Sequence, residues 1–126
     1  MQEKDLAHRI SQILYDRKAQ DIVVLQVPHL TVLTDYLVIA SGTNPIQVRT
    51  LAEHVEEEIA ALGVQVRRRE GEKEGRWVVL DYLSVIVHIF HPEDRGYYRL
   101  ERLWDDGRNR LPLPFYDDVP LAQDQP

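Results

Sequence analysis

The sequence predicts an α/β domain (α+β-like) built on a mixed sheet of about five strands with flanking helices. Three observations carry this expectation. Apolar residues recur at helical spacing near the N-terminus and again between residues 45 and 62. Short apolar runs of strand length stand between and after them. Two such runs, 77–82 and 85–90, are separated only by Leu83-Ser84, the spacing of a tight hairpin. The predicted order is helix, two strands, helix, three strands, helix, with one long helix crossing between the second and third strands.

Leu6, Ile10, Ile13 and Leu14 place an amphipathic helix over residues 4–17. Ile22–Val27 reads as a buried strand that Pro28 stops, and Tyr36–Ala40 as a second, opened by Asp35. Both are nearly continuous in apolar character, as strands covered on both faces are. Residues 30–34 form a short connection. Asn44 or Thr43 can cap the next helix, and Pro45 suits its first position because proline has no N–H to leave unpaired. That helix carries Val48, Leu51, Ala52, Val55, Ile59 and Leu62 on one stripe and stops at Gly63. Val64–Arg67 alternates apolar and polar residues, which predicts a half-exposed or edge strand. Pro92 opens a last helix on which Tyr97, Leu100, Leu103 and Trp104 share a face. A single domain over residues 1–106 is expected, followed over 107–126 by a mobile tail rich in proline and aspartate.

Composition excludes several function classes. The 126 residues hold 44% hydrophobic residues, enough for one core. With no cysteine, disulfides, thiolate metal sites and thiol nucleophiles are ruled out. The charged N-terminus lacks the apolar run of a signal peptide, and no apolar run is long enough for a membrane span, so a cytoplasmic protein without membrane contact is expected. A net charge of −6 argues against autonomous nucleic-acid binding, and no direct nucleic-acid binding is expected: Arg67-Arg68-Arg69 is followed at once by Glu70, Glu72 and Glu74. A basic partner suits such a chain better.

Catalytic constellations are missing. The Ser41-Gly42-Thr43 turn before a helix is a candidate anion site, the alternative that would make the chain a nucleotide-binding or nucleotidyltransferase-like enzyme. It lacks the glycines and lysine of a phosphate loop, and no Asp-X-Asp pair in a strand supplies magnesium ligands. His54 beside Glu57 and Glu58, and His88 with His91, lack a third ligand at defined spacing, so neither a metal nor a cofactor is expected.

The hairpin offers more. Pairing Tyr82 with Val85 sets Asp81 opposite Ile86, Val79 opposite His88 and Trp77 opposite Phe90. One face is then aliphatic (Val78, Leu80, Val85, Val87, Ile89, with Tyr82) and belongs in the core. The other mixes Trp77, Val79, Asp81, Ile86, His88 and Phe90, the composition of an interface hot spot. On pattern alone two readings stay open: an interface, or an internal face with Trp77 closing the core edge.

Gly75-Arg76-Trp77-Val78-Val79-Leu80-Asp81-Tyr82, then Val85–Phe90, Arg95, Tyr98–Glu101 and Leu103-Trp104, resembles the ribosomal silencing factor family, also called RsfS or Iojap-related. Lys18-Ala19, Asp21, Thr34-Asp35-Tyr36, Ser41-Gly42 and Glu70-Gly71 match in order, so the resemblance runs from about Leu6 to Trp104. It implies a catalytically inactive nucleotidyltransferase-like topology. It also implies docking on ribosomal protein fourteen of the large ribosomal subunit, a steric block to small-subunit joining, repressed translation, and a homodimer when free. By the same resemblance the contact residues are Trp77, Asp81, Tyr82 and His88, supported by Arg95, Tyr98, Glu101 and Trp104. Two departures stand out: Leu83-Ser84 where the family has Gly-Asp, and Asn44-Pro45-Ile46 where it has Ser-Arg.

Overall fold

The computed structural model describes residues 1–28 and 33–117. Helix α1 spans Glu3–Asp16 and buries Leu6, Ala7, Ile10, Ile13 and Leu14. Strands β1 (Gln20–Gln26) and β2 (Tyr36–Ser41) pair antiparallel. Helix α2 (Pro45–Ala60) starts where predicted: the Asn44 side chain accepts from the Gln47 amide at 2.9 Å, satisfying one of the amides a helix start leaves open. Strands β3 (Arg68–Glu70), β4 (Trp77–Asp81) and β5 (Val85–Phe90) follow, then α3 (Pro92–Tyr98), α4 (Leu100–Trp104) and α5 (Pro114–Asp117).

The sheet order is β1-β2-β5-β4-β3. Only β2 and β5 run parallel, from Tyr36 opposite Val85 to Ser41 opposite Phe90. This is the mixed five-stranded sheet the sequence predicts. α1 and α2 cover one face, where Val38, Ala40, Val78, Leu80, Val87 and Ile89 meet Ile10, Leu51, Val55 and Ile59. A second cluster, Val23, Leu25, Val27, Leu37, Ile39 and Phe90, fills the opposite face under Leu100 and Trp104. Each such fully buried aliphatic side chain contributes roughly 1.5–3 kcal/mol over leaving it in water.

Three sequence expectations need correction. The third strand lies at Arg68–Glu70, not at 64–67: Val64 and Val66 lean on the helix-side core from a loop, and pairing begins with Arg68 opposite Asp81. All three strand residues are exposed, and an edge of charged side chains discourages pairing with another chain. The sharp loop between β3 and β4 is held by Gly71, at φ +87, whose absent Cβ would fall 2.0 Å from the Trp77 carbonyl oxygen.

The last helix is broken. Arg99 adopts a left-handed conformation at φ +51, redirecting the chain so that Leu100 and Trp104 pack on the sheet while Leu103, expected inside, is 72% exposed. The Tyr97 side chain lies outside the described residues.

The expected tail is also folded back as far as it is described, and the remaining 118–126 lie outside the described residues. The Leu111 amide donates to the Val24 carbonyl at 2.9 Å and the Gln26 amide to that of Asn109 at 2.8 Å, lining the free edge of β1. Phe115 stacks on Tyr15 with centroids 4.3 Å apart, and Leu113 is buried. Proline and aspartate suggested a solvated segment, but the intervening Asn109, Leu111, Leu113 and Phe115 supply the packing.

Asn109 ties this segment down. Its Nδ2 donates to the carbonyls of Gln26 (3.0 Å) and Trp104 (2.7 Å), and its Oδ1 accepts from the Asp106 amide (3.0 Å). Asn109→Ala leaves these groups unpaired, so denaturant unfolding should show a loss of about 1–3 kcal/mol, with earlier amide exchange at Leu111.

Candidate functional site

The hairpin has the predicted register: Trp77 opposite Phe90, Val79 opposite His88, Asp81 opposite Ile86. Its aliphatic face is inside. On the other face Trp77, Val79, Asp81, Ile86 and His88 are all partly exposed, while Phe90 is fully buried in the second cluster. The mixed face is therefore a surface resting on a buried aromatic.

Trp77 organises that surface. Its indole N–H donates to Nδ1 of His88 at 3.0 Å. Its ring stacks on Phe90 (centroids 4.8 Å, 26° between planes) and leans on Tyr98 (4.8 Å, 43°). Accepting through Nδ1 assigns the neutral imidazole's proton to Nε2. An edge of His88 meets solvent, yet the ring is enclosed, and burial pushes its pKa down to about 4. The surface is thus uncharged at its centre, and Tyr98, which leans on Trp77, is 50% exposed.

Of the residues predicted to act together, Trp77, His88 and Tyr98 meet. Tyr82 does not: it sits on the opposite, helix-packed face at 6% exposure, and its hydroxyl has no hydrogen-bond partner among the described residues. Burial pushes its pKa above the ordinary phenol range. The alternation of a strand dictates this, since Tyr82 and Asp81 are neighbours and must point opposite ways. Asp81 lies on the exposed face, but its carboxylate accepts from the Leu83 amide at 2.7 Å and so holds the turn, where Leu83 takes φ +75 in place of a glycine.

Arg95 and Glu101 form a bidentate pair, both bonds 2.9 Å, and Arg95 also donates to Ser41 Oγ at 2.9 Å. With side chains only 11% and 23% exposed, they clamp α3 and α4 to the end of β2. Trp104 packs beneath, its carbonyl held by Asn109. These three support the surface more than they compose it. Val79 and Ile86 complete it; the hairpin alternation carried their signal.

The Ser41-Gly42-Thr43 turn is already satisfied internally. Ser41 accepts from Arg95, the Gly42 amide donates to the Phe90 carbonyl at 2.9 Å, and the Thr43 amide to Gln47 Oε1. A Cβ at Gly42 would lie 2.9 Å from Val48 Cγ2, so close packing on α2 accounts for this glycine. Among the described residues no three His, Asp or Glu side chains gather as metal ligands.

A family profile described as "RsfS: Ribosomal silencing factor during starvation" matches residues 1–125. The chain belongs to the ribosomal silencing factor family. The family's Bacillus subtilis member, "Ribosomal silencing factor RsfS", is 35% identical over 106 residues, covering 84% of this chain and 90% of that one. A mouse protein, "Mitochondrial assembly of ribosomal large subunit protein 1", is 33% identical over 95 residues, covering 73% of this chain and 42% of its own length. A crystal structure from Chromobacterium violaceum superposes with a TM-score of 0.81 at 34% identity, covering 82% of this chain and 87% of that one. Family and fold thus agree with the resemblance carried by the hairpin residues.

Because folding lowers the His88 pKa from 6.5 to about 4, the unfolded chain takes up that proton first as pH falls. The contribution is fully present above about pH 6.5 and is lost on descent toward pH 4, a change on the order of 3 kcal/mol. Denaturant titrations across that range should show it. His88→Gln, which keeps an acceptor for Trp77 but cannot ionise, should flatten the profile.

Proposed function

We propose that this chain is a non-enzymatic translation repressor. It docks on the large ribosomal subunit through the exposed hairpin face and blocks small-subunit joining by steric occlusion. The observation that carries this reading is the partly exposed Trp77–His88–Tyr98 surface, uncharged at its centre and continued along the hairpin by Val79 and Ile86. Rigid aromatics pre-stacked on a buried ring lose little freedom on binding, which is what interface anchors require. The mouse relative's name links that protein to the large ribosomal subunit, and the acidic chain suits a basic ribosomal protein. Ribosomal protein fourteen is the partner this reading assigns, with Trp77, His88 and Tyr98 in contact. Asp81, Arg95, Glu101 and Trp104 act by holding the turn and the two short helices, and Tyr82 acts from the core.

The place of action is the cytoplasm; no helix among the described residues is long and apolar enough to cross a membrane. In the free protein the same apolar surface is available to a second copy, giving a homodimer that docking would dissociate. A nucleotide-binding role at Ser41-Gly42 is disfavoured because its donors and hydroxyl are already bonded within the chain.

Sedimentation of isolated subunits should show less joining in the presence of the protein; unchanged joining at saturating protein would sink the proposal. Trp77→Ala should weaken large-subunit binding by about 2 kcal/mol or more, roughly thirtyfold. Tyr98→Ala, at a half-exposed position that leaves the core intact, should weaken it in the same direction.

A further inference from the structure

We infer that the outer side of α3 and α4 carries a second contact, a cationic groove that takes phosphates of an RNA backbone beside the protein-docking surface. This rests on the docking proposed above. Five arginines stand against three acids between Arg95 and Arg110, in a chain of net charge −6. The fold gathers Arg95, Arg99, Arg102 and Arg110 along one open groove of about 680 Å³.

The two acids lining it are already committed. Glu101 is held by Arg95, and Asp105 by Arg110 at 2.7 Å, with the Gly107 amide also on Asp105. The Arg110 guanidinium and that amide keep the Asp105 carboxyl below its ordinary pKa range. Among the described residues the Arg99 side chain bonds only through Nε, to the Gly96 carbonyl at 3.3 Å. Neither Arg99 nor Arg102 has a carboxylate partner among the described residues. Two guanidinium groups are therefore left over on a floor that is otherwise neutralised.

The backbone supports a built feature. Arg99 is left-handed at φ +51, and Asp21, which lines the adjoining hollow with Arg95, Glu101 and Arg110, is at φ +52. Strained residues other than glycine persist where surrounding structure holds them and concentrate at binding sites.

Placement identifies the ligand. The groove and the aromatic surface meet on α3: Tyr98 leans on Trp77 and is followed directly by Arg99, which lines the groove. Docking through the first puts the second at the rim of the contact. On a ribosomal subunit the neighbour of a protein is RNA, whose phosphates the planar guanidinium fork matches in two-point contact. The charge is too local for RNA binding without that dock.

The test is the salt dependence of binding to purified large subunits. The double variant Arg99→Ala/Arg102→Ala should reduce the slope of log affinity against log salt by about 1 to 2. Arg99→Lys/Arg102→Lys should retain most of the slope, and Trp77→Ala should lower affinity with the slope kept. An unchanged slope in the double alanine variant, with Trp77→Ala still weakened, overturns the groove alone. Failure of the unaltered protein to bind subunits overturns both proposals. If GTP raises the melting temperature of the free protein in an arginine-dependent way, the phosphate comes from a nucleotide and the RNA assignment falls.

Discussion

Every residue of β2 is buried, and the rest of the molecule is arranged around that constraint. A strand with no exposed side chain needs a packed layer on each face. α1 and α2 supply one; the other comes from residues at the far end of the chain, Phe90, Leu100 and Trp104, which the parallel pairing of β2 with β5 brings alongside. A slip of one residue in that pairing would turn Val87 and Ile89 toward the thin outer layer and His88 into the helix-packed core. The pairing therefore decides which side of the hairpin becomes the surface.

The outer layer is thin, and polar contacts hold it. Arg95 reaches from α3 to Ser41 at the end of β2 and to Glu101 on α4, so one guanidinium joins three elements. Asn109 does the same for the chain after α4. Because these groups are largely withdrawn from solvent, removing one partner would strand the others, a larger effect than loss of an exposed pair. The outcome is a sheet face covered at one end and left open over Trp77, His88 and Ile86.

Much of the site was legible in the residue pattern. The two-residue gap between the runs at 77–82 and 85–90 sets the register, and the register separates aliphatic from mixed faces without any tertiary information. The same alternation placed Tyr82 on the core face, which conflicts with grouping it beside Asp81 as a contact residue. The break at Arg99 had no local signal: arginine is a good helix former, and its left-handed conformation is imposed by contacts on either side. The arginines from 95 to 110 looked like an ordinary mixed-charge surface because sequence does not reveal which acids are paired. The folded-back segment after Gly107 was hidden by its prolines, which exclude regular helix or sheet without excluding packing.

By itself the sequence determined the first two helices, the first two strands, the hairpin and its register, the absence of thiol chemistry and the family. Those depend on spacing and residue type, which are local and periodic. Only the tertiary structure decided that Phe90 is buried while Trp77 and Tyr98 stay partly open, that Arg95 and Glu101 are spent on each other and on Ser41, and that Arg99 and Arg102 are left over. These depend on which distant groups meet, and burial and pairing are properties of contacts that no single stretch of chain encodes.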